Sequence, residues 1–234
     1  MRNYTLLASL LVLCIVPVAG CGGGKPKVNA AKLATVHKVA VVGMCTTPSF
    51  SGVAGTSTMF TATWGEQVLP HEASAFDGTL ATAWHGVEVM PLSAVVATNG
   101  LPKGTGSHLC FGGVDPLDAK DKPDLALMKQ LAVTLNVDAV VAVWSAPAVK
   151  SGSSKAHMYT GLGASAVAYV VDKDGELVVT SSLKGVDSAE IENLLSVGLT
   201  STDVRKVSPQ EFQLLGTSFG QAMANKFGAG LAHN

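Results

Sequence analysis

One stretch of this 234-residue chain constrains its fold more than any other, the run from Asp124 to Trp144. Pro123 suits the first turn of a helix, and Leu125, Met128, Leu131, Ala132 and Leu135 fall on one helical face. Asn136 closes that helix. Val137-Asp138-Ala139-Val140-Val141-Ala142-Val143-Trp144 follows at once and reads as a buried strand. A helix, a two-residue break and a buried strand together mark an αβ unit feeding a parallel sheet. The chain therefore reads as α/β.

The other elements fit around that unit. His37 to Met44 is a short β-branched run and predicts a first buried strand. Residues 46–66 are rich in Ser, Thr and Gly. Within them Thr56 to Thr63 is either a strand of an inserted hairpin or part of a surface loop. A helix is expected from Leu69 to His85, with Ala73, Phe76, Leu80 and Ala83 or Trp84 at helical spacing, ended by Gly86. Val87 to Met90 follows as a strand. Residues 92–116 carry five glycines and two prolines and read as mostly loop.

Beyond a polar loop from Lys150 to Lys155, Ala164–Val171 and Glu176–Ser182 face each other across Asp172-Lys173-Asp174-Gly175, which predicts a hairpin. A short helix is expected from Ser188 to Val197. Ser208-Pro209-Gln210-Glu211 opens the last helix as a capping box. Phe212, Leu215, Phe219, Met223 and Phe227 form its apolar stripe, with Gly228 expected to stop it. The expectation is one α/β domain, residues 37–234, a three-layer-like sandwich whose mixed sheet includes a C-terminal antiparallel hairpin.

The start of the chain is different in kind. Leu6 to Val16 is apolar apart from Ser9 and follows Arg2, a length that suits a signal peptide better than a spanning helix. Pro17 breaks the run, and Val18-Ala19-Gly20 places small residues before Cys21. These four residues resemble the lipobox of bacterial lipoproteins, in which the cysteine becomes the acylated first residue of the mature chain. An ordinary secretory signal is the alternative. The resemblance implies that residues 1–20 are removed and that Cys21 carries diacylglycerol and a further acyl chain such as palmitate. Residues 21–36 then form a flexible tether. Gly22 stands where an aspartate would favour the inner membrane, so the expected address is the outer membrane, facing the periplasm.

Cys45 and Cys110 remain in a compartment that oxidises thiols, which favours a disulfide. Two buried thiols, or a metal site adding His108, are the alternatives, although the spacing matches no standard zinc pattern. With 16 basic and 17 acidic residues and no basic patch, nucleic acid is not an expected partner. Hydrophobic residues make up 47% and charged ones 14%, which excludes a disordered chain. The glycine-rich run Gly161 to Ala166 matches a dinucleotide pattern on paper but leads into a strand, where that chemistry needs a helix. Asp115, Asp118, Asp121 and Asp124 read as a solvated loop entering a helix cap. His37, His71, His85, His157 and His233 are scattered. No catalytic constellation, cofactor or resident metal is expected.

Several segments together are similar to a recurring periplasmic module. They are Lys38-Val39-Ala40-Val41-Val42, Val87 to Val95, the run from Leu131 to Val143, and the hairpin Val171-Asp172-Lys173-Asp174-Gly175-Glu176-Leu177-Val178. The module is that of the curli-secretion lipoproteins, the Lpo-type activators of penicillin-binding proteins and the amino-terminal domain of TolB. The match covers residues 37–44, 69–95 and 124–228. Residues 46–66 have no obvious counterpart in it, and the sequence shows no convincing membrane-spanning hairpins of the secretion-pore kind. The resemblance implies a non-catalytic module that binds envelope proteins, with self-association left open.

Phe60 and Trp64 are the expected partner-binding residues, exposed aromatics beside Phe50 and Met59; folding back as a satellite cluster is the alternative. A rival function is a hydrolytic or ligand-binding lipoprotein with its site in loops 46–66 and 92–116.

Overall fold

The computed structural model describes residues 26–46, 64–153, 158–183 and 208–232. Cys21 and its lipobox, Phe50, Met59, Phe60, the strand expected at Thr56–Thr63 and the helix expected at Ser188–Val197 lie outside them.

The elements run β1 (Lys27–Val28), α1 (Ala30–Leu33), β2 (Lys38–Thr46), a π-helical turn (Trp64–Val68), α2 (Leu69–Ala83), β3 (Glu88–Met90) and α3 (Leu92–Val96). Then come β4 (Leu109–Phe111), α4 (Leu125–Leu135), β5 (Ala139–Ser153), β6 (Met158–Asp172), β7 (Leu177–Ser182) and α5 (Pro209–Ala232). The fold is α/β, with a seven-stranded open sheet in the order β1-β7-β6-β5-β2-β3 and β4 beside β2. β2 pairs in parallel with β3 and β5, and every other pairing is antiparallel.

The αβ unit forms for the reasons its sequence gives. Asp124 caps α4 by accepting from the Leu127 amide, and Asn136 takes the left-handed conformation that ends it. Met128, Leu131 and Ala132 are fully buried, as are Ala139 to Val143 on β5. Tyr169, opposite Ala142, sends its hydroxyl to the Asp121 carbonyl just before α4 (3.1 Å). Ser145 lies an odd number of residues from Ala142, so it points to the other face, where α2 lies. Helices thus cover the sheet on both sides.

Three expectations are corrected here. Residues 27–33, expected in the tether, form β1 and α1, because Lys27 and Val28 find ladder partners in Thr180 and Val179. Residues 92–116 are mostly loop, as expected, with α3 and β4 inside them, each too short for a periodic signal to develop. Lys150–Lys155 is not simply a loop, since β5 runs on to Ser153 against β6. Pro147 is tolerated there: among the described residues β2 pairs with β5 only as far as Trp144, so the missing amide interrupts no described β2–β5 bond. Finally, Gly228 does not stop α5, which continues to Ala232.

The reason for that last difference is packing. α5 starts as expected, the Glu211 carboxylate accepting from the Ser208 amide (2.6 Å) and Ser208 Oγ from the Glu211 amide (3.3 Å). It then runs parallel to α2 at close range. A Cβ placed on Gly220 would collide with the Glu72 carbonyl oxygen and stand 2.8 Å from the Phe76 amide nitrogen. One on Gly216 would lie 2.9 Å from His71 Cβ, and one on Gly228 would lie 2.7 Å from Ala83 Cβ. Glycine is needed at these positions for its missing side chain. Between them Phe219 and Phe227 meet Trp64, Phe76 and Trp84 at centroid distances of 5.5 to 6.4 Å.

Candidate functional site

The polar groups of interest gather where β2 ends and its parallel pairing with β5 stops, the side on which open α/β sheets usually present their sites. Cys45 and Thr46 close β2, alongside Trp144 and Ser145 of β5.

On the α2 face Thr46, Ser145 and Glu72 are all fully buried. Desolvation pushes the Glu72 carboxyl up to about 7, while the Ser145 hydroxyl and the Trp64 indole oppose the shift. Neither Glu72 oxygen makes a hydrogen bond of good geometry among the described residues. Below neutral pH this group is therefore held largely as the neutral acid. Asp77, one and a half turns along, is also pushed up to about 7 by burial; the Leu92 amide donates to it (2.8 Å) and pulls the other way. Through that bond Asp77 fixes the start of α3.

A raised carboxyl pKa has a definite sign in stability. Below about pH 4.5 Glu72 is protonated whether the chain is folded or not. Between there and about 7 only the unfolded chain ionises, so stability falls as pH rises, and above 7 the full penalty applies. The Glu72 shift amounts to about 3 kcal/mol. The Tm of the wild type should drop between pH 5 and 8, and Glu72→Gln should flatten much of that slope. An unchanged slope in the Glu72→Gln variant would remove Glu72 as its cause.

On the opposite face Cys45 and Cys110 are directly opposed across the β2–β4 ladder and joined as a disulfide (S–S 2.06 Å). Asp115 lies beside them and organises the preceding loop. One of its oxygens accepts from the His108 amide (3.1 Å) and the Thr105 hydroxyl (3.1 Å). The other faces His108 Nδ1 (2.9 Å) and the Leu117 amide (3.3 Å). His108 Nε2 faces Asp121 (2.9 Å).

This corrects the reading of the aspartate series as solvated loop. Asp115 is buried, whereas Asp118 stays outside, its carboxyl held low first by the Lys122 and Lys120 amides. Both His108 nitrogens are engaged by carboxylates, which leaves neither to activate a nucleophile. The Cys45 and Cys110 sulfurs and an Asp115 oxygen lie within 4.8 Å of one another. As the structure stands that trio cannot bind a metal: the sulfurs are bonded to each other rather than present as thiolates, and Asp115 is already saturated.

Trp64, expected at an exposed docking surface, is instead 1% exposed and packs on Phe219. Its place in the π-helical turn ahead of α2 aims the indole inward, so it belongs to the core; Phe60 lies outside the described residues. Near that turn an apolar groove of about 240 Å³ is lined by Gly65, Leu69, Leu109, Cys110 and Phe111, with Glu66 as its one charged residue among the described residues. Leu109 is 39% exposed at its wall, and Val96, against Gly112 nearby, is 51% exposed.

No protein-family model matches the chain, and no curated protein matches it. Among solved structures it is similar to lipoprotein GNA1162 from Neisseria meningitidis, at 18% identity and a TM-score of 0.35, covering 73% of this chain and 96% of that one. It is also similar to the hypothetical protein CT253 from Chlamydia trachomatis, at 11% identity and a TM-score of 0.36, covering 85% and 99%. Overlap this loose carries no activity across.

Proposed function

We propose that this chain is a lipid-anchored bacterial envelope protein, placed at the outer membrane on its periplasmic side, whose domain is a non-catalytic module that binds other envelope proteins. The observation that carries the reading is Val18-Ala19-Gly20-Cys21 directly after the apolar run Leu6–Val16. Two or three acyl chains on one residue, at about 0.8 kcal/mol per buried methylene, hold a protein on a membrane essentially permanently. Binding rather than chemistry is supported by the groove beside β4, apolar with one rim charge, and by a His108 ring whose nitrogens are both taken. The similarity in pattern to the curli-secretion, Lpo-type and TolB modules points the same way.

Cys21→Ser should leave an uncleaved precursor that incorporates no labelled fatty acid. A photo-crosslinker at Leu109 in the wild type should capture one defined set of envelope proteins, and Leu109→Asp should lose it. Equal fatty-acid labelling of both proteins would remove the anchor, and capture indifferent to Leu109→Asp would remove the groove.

A further inference from the structure

We infer that the β1–β7 edge of the sheet is the surface turned toward the bilayer, so that the groove at β4 is held away from the membrane. This rests on lipidation of Cys21, the reading proposed above.

The first support is how residues 26–32 are attached to the sheet. Lys27 and Val28 pair with Thr180 and Val179, and the Asn29 amide donates to the Val178 carbonyl (2.9 Å). Asn29 then caps α1 by accepting from the Lys32 amide. The Lys32 ammonium sits among Asp172 (3.0 Å), Asp174 (3.1 Å) and Glu176 (3.3 Å), which fastens α1 over the turn between β6 and β7. Pro26 lies against Gly230 at the end of α5, where an added Cβ would be 3.2 Å from its ring. The chain is thus fixed to the edge of the sheet from Pro26 onward.

The second support is length. Five peptide steps separate Cys21 from Pro26, and whatever conformation they take they span at most about 18 Å. Five strand spacings separate β1 from β4 through β7, β6, β5 and β2. At about 4.8 Å each they amount to roughly 24 Å. That span is shorter than the sheet is wide, so the sheet cannot stand upright on its β4 edge while Cys21 is in the bilayer. Charge does not oppose the arrangement: by sequence this region carries Lys25, Lys27, Lys32 and Lys173 against Asp172, Asp174 and Glu176. Such lysines favour anionic headgroups.

The test uses the lipidated full-length protein in vesicles of phosphatidylcholine and phosphatidylglycerol that contain a headgroup spin label. With Cys21 acylated and Cys45 bonded to Cys110, a cysteine introduced by Leu177→Cys or Val96→Cys is the sole reactive thiol and takes a fluorophore. Leu177, at the start of β7, is 41% exposed, so both positions accept a dye. Quenching at 177 should exceed that at 96 several-fold. Inserting a long Gly/Ser segment between Gly24 and Lys25 should erase most of the difference. Protein that floats with the vesicles but is quenched equally at both positions overturns the orientation alone. Protein that does not float overturns the anchor, and the orientation with it.

Discussion

Gly220→Val should unfold this domain or nearly so, although the same change in an exposed helix would have little effect. Valine is a better helix residue than glycine by a few tenths of a kcal/mol. That gain is lost against the contact with α2, because the first added carbon already meets the Glu72 carbonyl and the Phe76 amide. Both are main-chain atoms inside a helix, so no rotamer change relieves the clash and the two helices must separate. Separation would open the cluster of Trp64, Phe76 and Phe219. The expected loss is at the upper end for one substitution, on the order of 4 kcal/mol. Gly78→Ala is the matched control. It lies on the exposed side of α2 with nothing within 4 Å of its missing Cβ, and should gain roughly 0.5–1 kcal/mol. Urea midpoints moving in opposite directions would bear out the pair. A Gly220→Val protein as stable as wild type would mean that the helices are not in direct contact.

Opening the Cys45–Cys110 disulfide should have an effect of similar size. It closes a loop with a sequence separation of 65 residues, for which the chain-entropy relation gives on the order of 4 kcal/mol. A local effect should accompany the global one. β4 is three residues long and meets β2 through three pairs, so without the bond its amides should exchange with solvent well before those of β5. Comparing denaturant midpoints with and without a phosphine reductant measures the first effect, and hydrogen exchange at Leu109–Phe111 measures the second. An unchanged midpoint, with both thiols shown to be alkylatable, would mean that the ladder holds β4 unaided.

What could be read from the sequence was what is decided locally. The αβ unit showed itself because cap, apolar stripe and strand follow one another within about twenty residues, and α5 because Ser208 and Glu211 cap it reciprocally. The turn at Asp172–Gly175 carries its own chemistry, Gly175 taking a positive φ. What escaped was decided at a distance. β1 is a strand only because β7 offers it a ladder about 150 residues later. The outer half of the β5–β6 ribbon is too rich in Gly, Ser and Ala to look like a strand. Nothing in the spacing of His108, Asp115 and Asp121 announces that they meet, because the loop between them does not repeat with any period. Glu72 looks like an ordinary first-turn acid of α2; only α5 and the sheet, arriving from elsewhere, make it a buried one. Trp64 was misplaced by the company it keeps, a polar stretch whose neighbours in space are aromatic.

The parallel contact between α2 and α5 also bears on how the chain reaches its native state. The covering face of α5 comes some 140 residues after the face it covers. While a chain is still emerging, Phe76, Leu80 and the surrounding apolar surface of α2 lack the cover that α5 gives them, the principal helix packed on that face among the described residues. Closure therefore waits for residues 209–232, and contacts so remote in sequence form slowly. If the chain is exported as proposed above, that delay is useful, since a chain that cannot complete its core early stays threadable until it has crossed the membrane. The same delay leaves the uncovered layer open to aggregation. The glycine face of α5 is thus a timing device as well as a packing surface: it makes the last-arriving helix the one that commits the fold.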